Sequence, residues 1–178
     1  MISGSAKEID RLDQALAALF VELSAYSDEQ LNQRPAPGKW SPLMILHHLL
    51  LSEYYSHLYV TKKLKGDGPF GNGKISDPFR LFLIWFVFNS GIKWKAPPGI
   101  GDGSLPETSS LEAVQTQWWA QRQQLREYLS ALPDKLSGRA IYKHPYAGRL
   151  TLPGMVRFFG IHFTHHRKQV RRALERRI

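Results

Sequence analysis

One stretch of this chain has little freedom in where it can sit. Leu43-Met-Ile-Leu-His-His-Leu-Leu-Leu51 is apolar on nearly every side. A helix at a protein surface carries one apolar stripe, whereas a helix that is apolar all round has to be surrounded by other elements. Ser41 is a fitting N-cap and Pro42 a fitting first helical residue. Helical patterning then continues to about Lys65, until Gly66-Asp-Gly-Pro-Phe-Gly-Asn-Gly73 stops it. A buried helix of this length needs neighbours, and the rest of the sequence supplies helical ones.

Residues 5 to 26 repeat Ile9, Leu12, Leu16, Leu19, Leu23 and Tyr26 at spacings of three and four, which predicts a first amphipathic helix. Ser27-Asp-Glu-Gln30 is a capping-box pattern opening a short helical turn that ends before Arg34-Pro35. Pro35-Ala-Pro-Gly38 makes a stiff connector. Ser109-Ser-Leu-Glu112 is a second capping-box pattern. It introduces a helix to about Leu132 with Val114, Trp118, Leu125, Leu129 and Leu132 inward, and Pro133 ends it. Ala140 to Thr151 reads as irregular, with Pro145 and Gly148 as turn residues. Thr151 caps a last helix from Leu152 to about Arg176. Four long helices in one domain, residues 1–178, make the expected fold class all-α, a four-helix bundle.

Between the second and third bundle helices lies an insert, from about Gly66 to Pro106. Asp77-Pro78 begins an additional apolar helix, Phe79 to Ile92, that either covers a hydrophobic surface or lies at a subunit interface. Ala96-Pro-Pro-Gly-Ile-Gly-Asp-Gly-Ser-Leu-Pro106 is a long connector without periodicity, of the kind that carries function or moves.

Composition narrows the chemistry. The 178 residues include no cysteine, which excludes disulfides, thiolate metal sites and a cysteine nucleophile. The N-terminus turns charged at once, without the apolar core of a signal peptide. Phe79 to Ile92 is too short to cross a bilayer. These features predict a cytoplasmic protein with no membrane partner. The formal charge of +9 would attract anions. Arg167, Lys168, Arg171, Arg172, Arg176 and Arg177 crowd the last helix, where cations also complement the helix dipole.

The histidines carry the most specific signal. His162 and His166 stand four apart on the predicted last helix, so their imidazoles share a face with Gln169, Val170 and Ala173. Neutral imidazole is the commonest nitrogen ligand for zinc and related metals, and three of them with an open position form a catalytic pattern. The bland alternative is a pair of hydrogen-bonded core histidines. A third ligand has to come from elsewhere, and the apolar helix offers His47 and His48. These point about 100° apart, so one of them can face the pair, but the pattern does not say which. His165 reads as a supporting or structural residue and His57 as an ordinary one. His144 either leans over the site or stabilises its turn. Glu53 is either a carboxylate partner for an imidazole or one end of a surface ion pair. Trp40, Trp118 and Trp119 read as core.

Lys39-Trp-Ser-Pro42, a histidine–leucine pair eight residues after the tryptophan, and Glu53 together resemble the DinB superfamily. The late run His144-Pro-Tyr-Ala-Gly-Arg-Leu-Thr-Leu152 with His162-Phe-Thr-His-His-Arg-Lys-Gln169 resembles it too. The likeness runs from Ala25 to Ala173, apart from the insert. It implies a four-helix bundle, often dimeric, with one histidine of the second helix and two of the last on a divalent metal. Carried over residue by residue, it selects His48, His162 and His166. Zinc, nickel and iron all suit imidazole. Some relatives resemble metal-dependent transferases or isomerases that use low-molecular-weight thiols such as bacillithiol or mycothiol. The resemblance therefore implies a metal-dependent transferase, isomerase or hydrolase acting on a small molecule. A metal-stabilised interaction module and a nucleic-acid-binding stress-response accessory protein are the competing readings.

Overall fold

The computed structural model describes residues 2, 4–66, 68–90, 96–97 and 99–175. Helix α1 spans Ala6–Leu23, α2 Asp28–Asn32, α3 Pro42–Lys65, α4 Asp77–Asn89, α5 Leu111–Ala131 and α6 Leu152–Glu175. The expected end of the inserted helix at Ile92, and Arg176 and Arg177, lie outside the described residues. Among the described residues the fold is all-α apart from one two-stranded hairpin, β1 Tyr142–His144 with β2 Gly148–Leu150, and an isolated bridge between Asn72 and Arg139.

Local chemistry places the helix ends. The hydroxyl of Ser27 accepts from the Gln30 N–H, and the Gln30 side chain accepts from the Ser27 N–H, which completes the capping box of α2. Ser41 caps α3 by accepting from Met44, with Pro42 in the first turn, where its missing N–H costs nothing. For α5 the cap is Ser110, not Ser109: its hydroxyl accepts from the Ala113 N–H at 3.1 Å. Ser109 is displaced into a bridging role. Its backbone N–H and C=O both pair with the Asn32 side chain, and its hydroxyl meets His47. Thr151 caps α6 as expected, accepting from the Gly154 N–H at 3.0 Å.

The long helices α1, α3, α5 and α6 share one core. Helix α6 packs on α3 and α1, and α5 packs on the same two. Ile9, Leu12, Leu16, Leu19 and Leu23 of α1 are buried, joined by Phe20. Tyr26 does not follow them inward: α1 ends at Leu23, the helical phase lapses, and the ring is exposed. Val114, Trp118, Leu125 and Leu129 of α5 are buried, with Trp118 fully enclosed, while Leu132 beyond the helix end is half-buried. Every residue from Leu43 to Leu50 is buried, as an all-round apolar helix requires.

Polar ties cross this core. Both carboxylate oxygens of Glu53 accept from Arg122 at 2.7 and 2.8 Å, and Arg122 also reaches Asp13 at 2.7 Å. Arg126 continues the chain to Asp10 and Asp13. Glu53 is therefore neither an imidazole partner nor a surface charge. It is one end of a buried ion pair joining α3 to α5, and Asp13 extends the network to α1.

The stretch expected to be irregular, Ala140 to Thr151, contains the hairpin, in register Tyr142↔Leu150, Lys143↔Arg149 and His144↔Gly148. Three residues per strand are too few for alternation to be distinguished from a loop. Gly148 has φ +79, a left-handed value that suits glycine at the end of a tight connection. Asp77, at the start of α4, is buried and accepts from the backbone N–H and hydroxyl of Thr151. This joins the start of the inserted helix to the start of α6. Gly154 lies against that carboxylate with no space for a Cβ.

Candidate metal centre

Three histidines distant in sequence meet between α3 and α6. His48 Nε2 lies 3.1 Å from His162 Nε2. The ring centroids of His48, His162 and His166 are 4.5–5.0 Å apart in all three pairs. One nitrogen from each ring falls within 4.8 Å of the others. The residues are 4, 6 and 8% exposed. The i, i+4 spacing puts His162 and His166 on one face of α6, and the surrounded α3 turns His48 toward them. Of the neighbouring pair on α3, His48 joins the cluster. His47 turns away, with its Nε2 2.9 Å from the Ser109 hydroxyl.

The outer nitrogens of two rings are held. His48 Nδ1 donates to the Ile100 carbonyl at 2.6 Å, and His166 Nδ1 donates to Gln169 Oε1 at 2.8 Å. A proton fixed on Nδ1 leaves the Nε2 lone pair free, which is the ligating tautomer, and such partners also set the ring's orientation. Burial lowers the pKa of His48 below the ordinary histidine value. It holds His162 and His166 well below that value, helped by the neighbouring imidazoles. All three are thereby kept neutral, the form that binds a cation.

The donor set fits a divalent metal. Two nitrogens bound at about 2.0–2.1 Å around a tetrahedral ion lie roughly 3.3 Å apart, close to the separation of His48 and His162. A hydrogen bond between two rings would explain that contact alone. It would not explain why the third ring, His166, held by Gln169, also lies within reach of both others. The three rings together form a group that could hold one shared cation.

The surroundings are aromatic. Phe158 and Phe88 stack on His162 at centroid distances of 5.3 and 5.6 Å. Trp40, expected in the core, is half-buried with its ring 5.0 Å from His48, and its indole N–H donates to Asp102 Oδ1 at 2.7 Å. His165 is a structural partner: its Nδ1 donates to the Phe88 carbonyl and its ring stacks on Phe88. His144 stabilises its turn. Its Nδ1 accepts from the backbone N–H groups of Tyr146 and Ala147, and its ring packs on Phe158. His57 packs against Tyr128 away from the cluster.

Phe88, Ile100 and Asp102, which return to the site, all belong to the insert. Nothing in a phenylalanine-rich helix or a glycine-rich connector marks which members return to the site. Phe158 did carry a signal, since it precedes His162 by one helical turn. A cleft of about 420 Å³ between α1, α4 and α6 is lined by Arg11, Trp85, Arg157, His165 and Lys168 among others, and by none of the three clustered histidines.

The family model of the DinB superfamily matches residues 8–170. The chain belongs to the DinB superfamily. The match takes in α3 and α5, most of α1 and α6, and all three clustered histidines of this DinB-superfamily protein. Comparison with curated proteins and with solved structures returned no match. No helix among the described residues is long and apolar enough to cross a membrane.

Proposed function

We propose that this DinB-superfamily protein is a metal-dependent enzyme whose centre is a divalent cation held by the Nε2 atoms of His48, His162 and His166. The observation that carries this reading is the convergence of three buried imidazoles whose geometry suits one shared ion. A divalent cation in that place would act as a Lewis acid and lower the pKa of a water or thiol beside it. The chain's own residues do the rest. Ile100 and Gln169 orient two of the rings, while Phe88, Phe158 and Trp40 enclose the third and its neighbour in an apolar shell that limits water. Any thiol has to come from a cosubstrate, because the chain has no cysteine. We read the reaction as transfer of a low-molecular-weight thiol, or hydrolysis, at a small electrophile. Zinc, nickel and iron are all compatible with the donors.

The charge distribution favours this reading over nucleic-acid binding. Arg167 and Arg171 of the basic last helix are both engaged by Glu22 of α1, which draws its carboxyl below the ordinary range. The apolar outer face of α4 supports a homodimer, with a second copy covering it.

Metal analysis of the purified protein tests the centre. The wild-type chain is expected to carry about one divalent ion, and His48→Ala, His162→Ala and His166→Ala each to lose it while His57→Ala keeps it. Full metal content in all three ligand variants would refute the assignment. Metal binding without turnover across thiol-transfer and hydrolysis screens would leave the interaction-module reading in its place.

A further inference from the structure

The group that fixes His48 comes from outside the four long helices. Its acceptor, the Ile100 carbonyl, sits in the strap formed by the described part of residues 96–105. The strap is a compact series of turns. Ile100 N–H donates to the Pro97 carbonyl and Ser104 N–H to the Gly101 carbonyl. Gly99 and Gly103 hold φ of +89 and +81, left-handed values that other residues adopt only at a cost. Gly101 meets the Ala96 side chain so closely that a Cβ would lie 2.9 Å from it. Leu105 is buried and anchors the far end. The Ile100 carbonyl is thus set by the strap as a folded unit.

Among the described residues, a side-chain hydrogen bond also ties that unit to the bundle beside His48. Asp102 accepts from the Trp40 indole at 2.7 Å, and Trp40 stands directly before the α3 cap, with its ring over His48. Asp102 is the one acidic residue between Pro78 and Pro106.

We propose that Asp102 is a positioning residue of the metal centre, acting through Trp40 and the Ile100 carbonyl to hold His48 in its ligating tautomer and orientation. This rests on the metal reading given above. The insert is then part of the centre: it closes over His48 and sets how firmly the ion is held. Freeing the strap leaves the His48 Nδ1–H without its acceptor, which lowers the basicity of the ligand and lets the ring turn. Groups that orient ligating histidines in this way typically change metal affinity about 10–100-fold when lost.

The test uses the full chain and Zn²⁺ alone, with affinity read by chelator competition and release followed by a metal-sensitive dye. Asp102→Ala is expected to weaken binding by roughly 10–100-fold and to speed release, and Trp40→Phe, which removes the indole donor, to do the same. Asp102→Asn keeps an acceptor oxygen and is expected to stay near the wild type. Melting of the metal-free Asp102→Ala protein is expected to match the wild type, which separates positioning from a general loss of structure. Unchanged affinity and release in Asp102→Ala overturn the proposal. So does an equal loss in Asp102→Asn, or a matching fall in metal-free stability. A wild-type chain that takes up no metal overturns the underlying reading instead, and does so before any variant is made.

Discussion

At the scale of single residues, the histidines divide by what their Nδ1 atoms do. In His48, His165 and His166 the atom donates outward, whereas in His144 it accepts from two backbone N–H groups and the proton must sit on Nε2. A ring used as an acceptor and buried against Phe158 resists protonation, and burial lowers the His144 pKa to about 4. The unfolded chain binds a proton at this residue near pH 6.5, but the native fold does so only near pH 4. Above pH 6.5 neither state is charged and the residue adds no pH dependence. As the pH falls from about 6.5 to about 4 the unfolded state alone takes up the proton, and native stability drops by about 3 kcal/mol. Denaturant unfolding of metal-free protein between pH 7.5 and 4 is expected to show this fall. His144→Asn, which keeps an acceptor for the turn but cannot titrate, is expected to lessen the slope by this residue's share, the rest belonging to the other buried histidines, His48, His162 and His166. An unaltered slope in that variant would assign the acid sensitivity to other residues. This role could be anticipated as a turn-stabilising histidine from the neighbouring Pro145, but the burial behind it could not, because Phe158 lies in another element.

At the scale of elements, α4 is the outlier. Its inner side buries Leu81 and Ile84 and brings Phe88 onto His162, while Phe79, Phe82, Leu83, Trp85 and Phe86 face outward and exposed. The apolar run predicts a helix that covers a hydrophobic surface or lies at an interface, but not which side the bundle takes. The same limit explains the cap of α5. Ser109 and Ser110 are chemically equivalent caps, and Asn32 and His47, both outside α5, draw Ser109 away. If a second copy covers the outer face of α4, light scattering is expected to report twice the 20.4 kDa chain mass. Phe82→Ser with Phe86→Ser is expected to give monomers, with little change in unfolding of the chain itself, since exposed side chains contribute little to the native core. A monomeric wild type would remove the homodimer from the proposed function.

At the scale of the whole molecule, much of the framework could be read in advance because it depends on local periodicity and caps: the four long helices, the caps of α3 and α6 and the face shared by His162 and His166. The choice between His47 and His48 could not, because it turns on the rotation of α3 against α6, which packing decides. Once packed, the centre spans the fold. His48 and His162 are separated by 114 positions, so an ion bound between them cross-links α3 to α6. The unfolded chain cannot reproduce that arrangement, so metal binding adds to native stability by mass action. With free metal at a thousandfold excess over Kd, the gain is about 4 kcal/mol, worth roughly 10 °C in melting temperature for a domain of this size. Calorimetry of metal-free and metal-loaded protein is expected to show that increase, reversed by a chelator. In His162→Ala the remaining two rings are not expected to sustain it. Should the variant gain as much on metal addition as the wild type, the stabilising ion would be bound elsewhere in the molecule, and the three imidazoles would be a hydrogen-bonded core cluster.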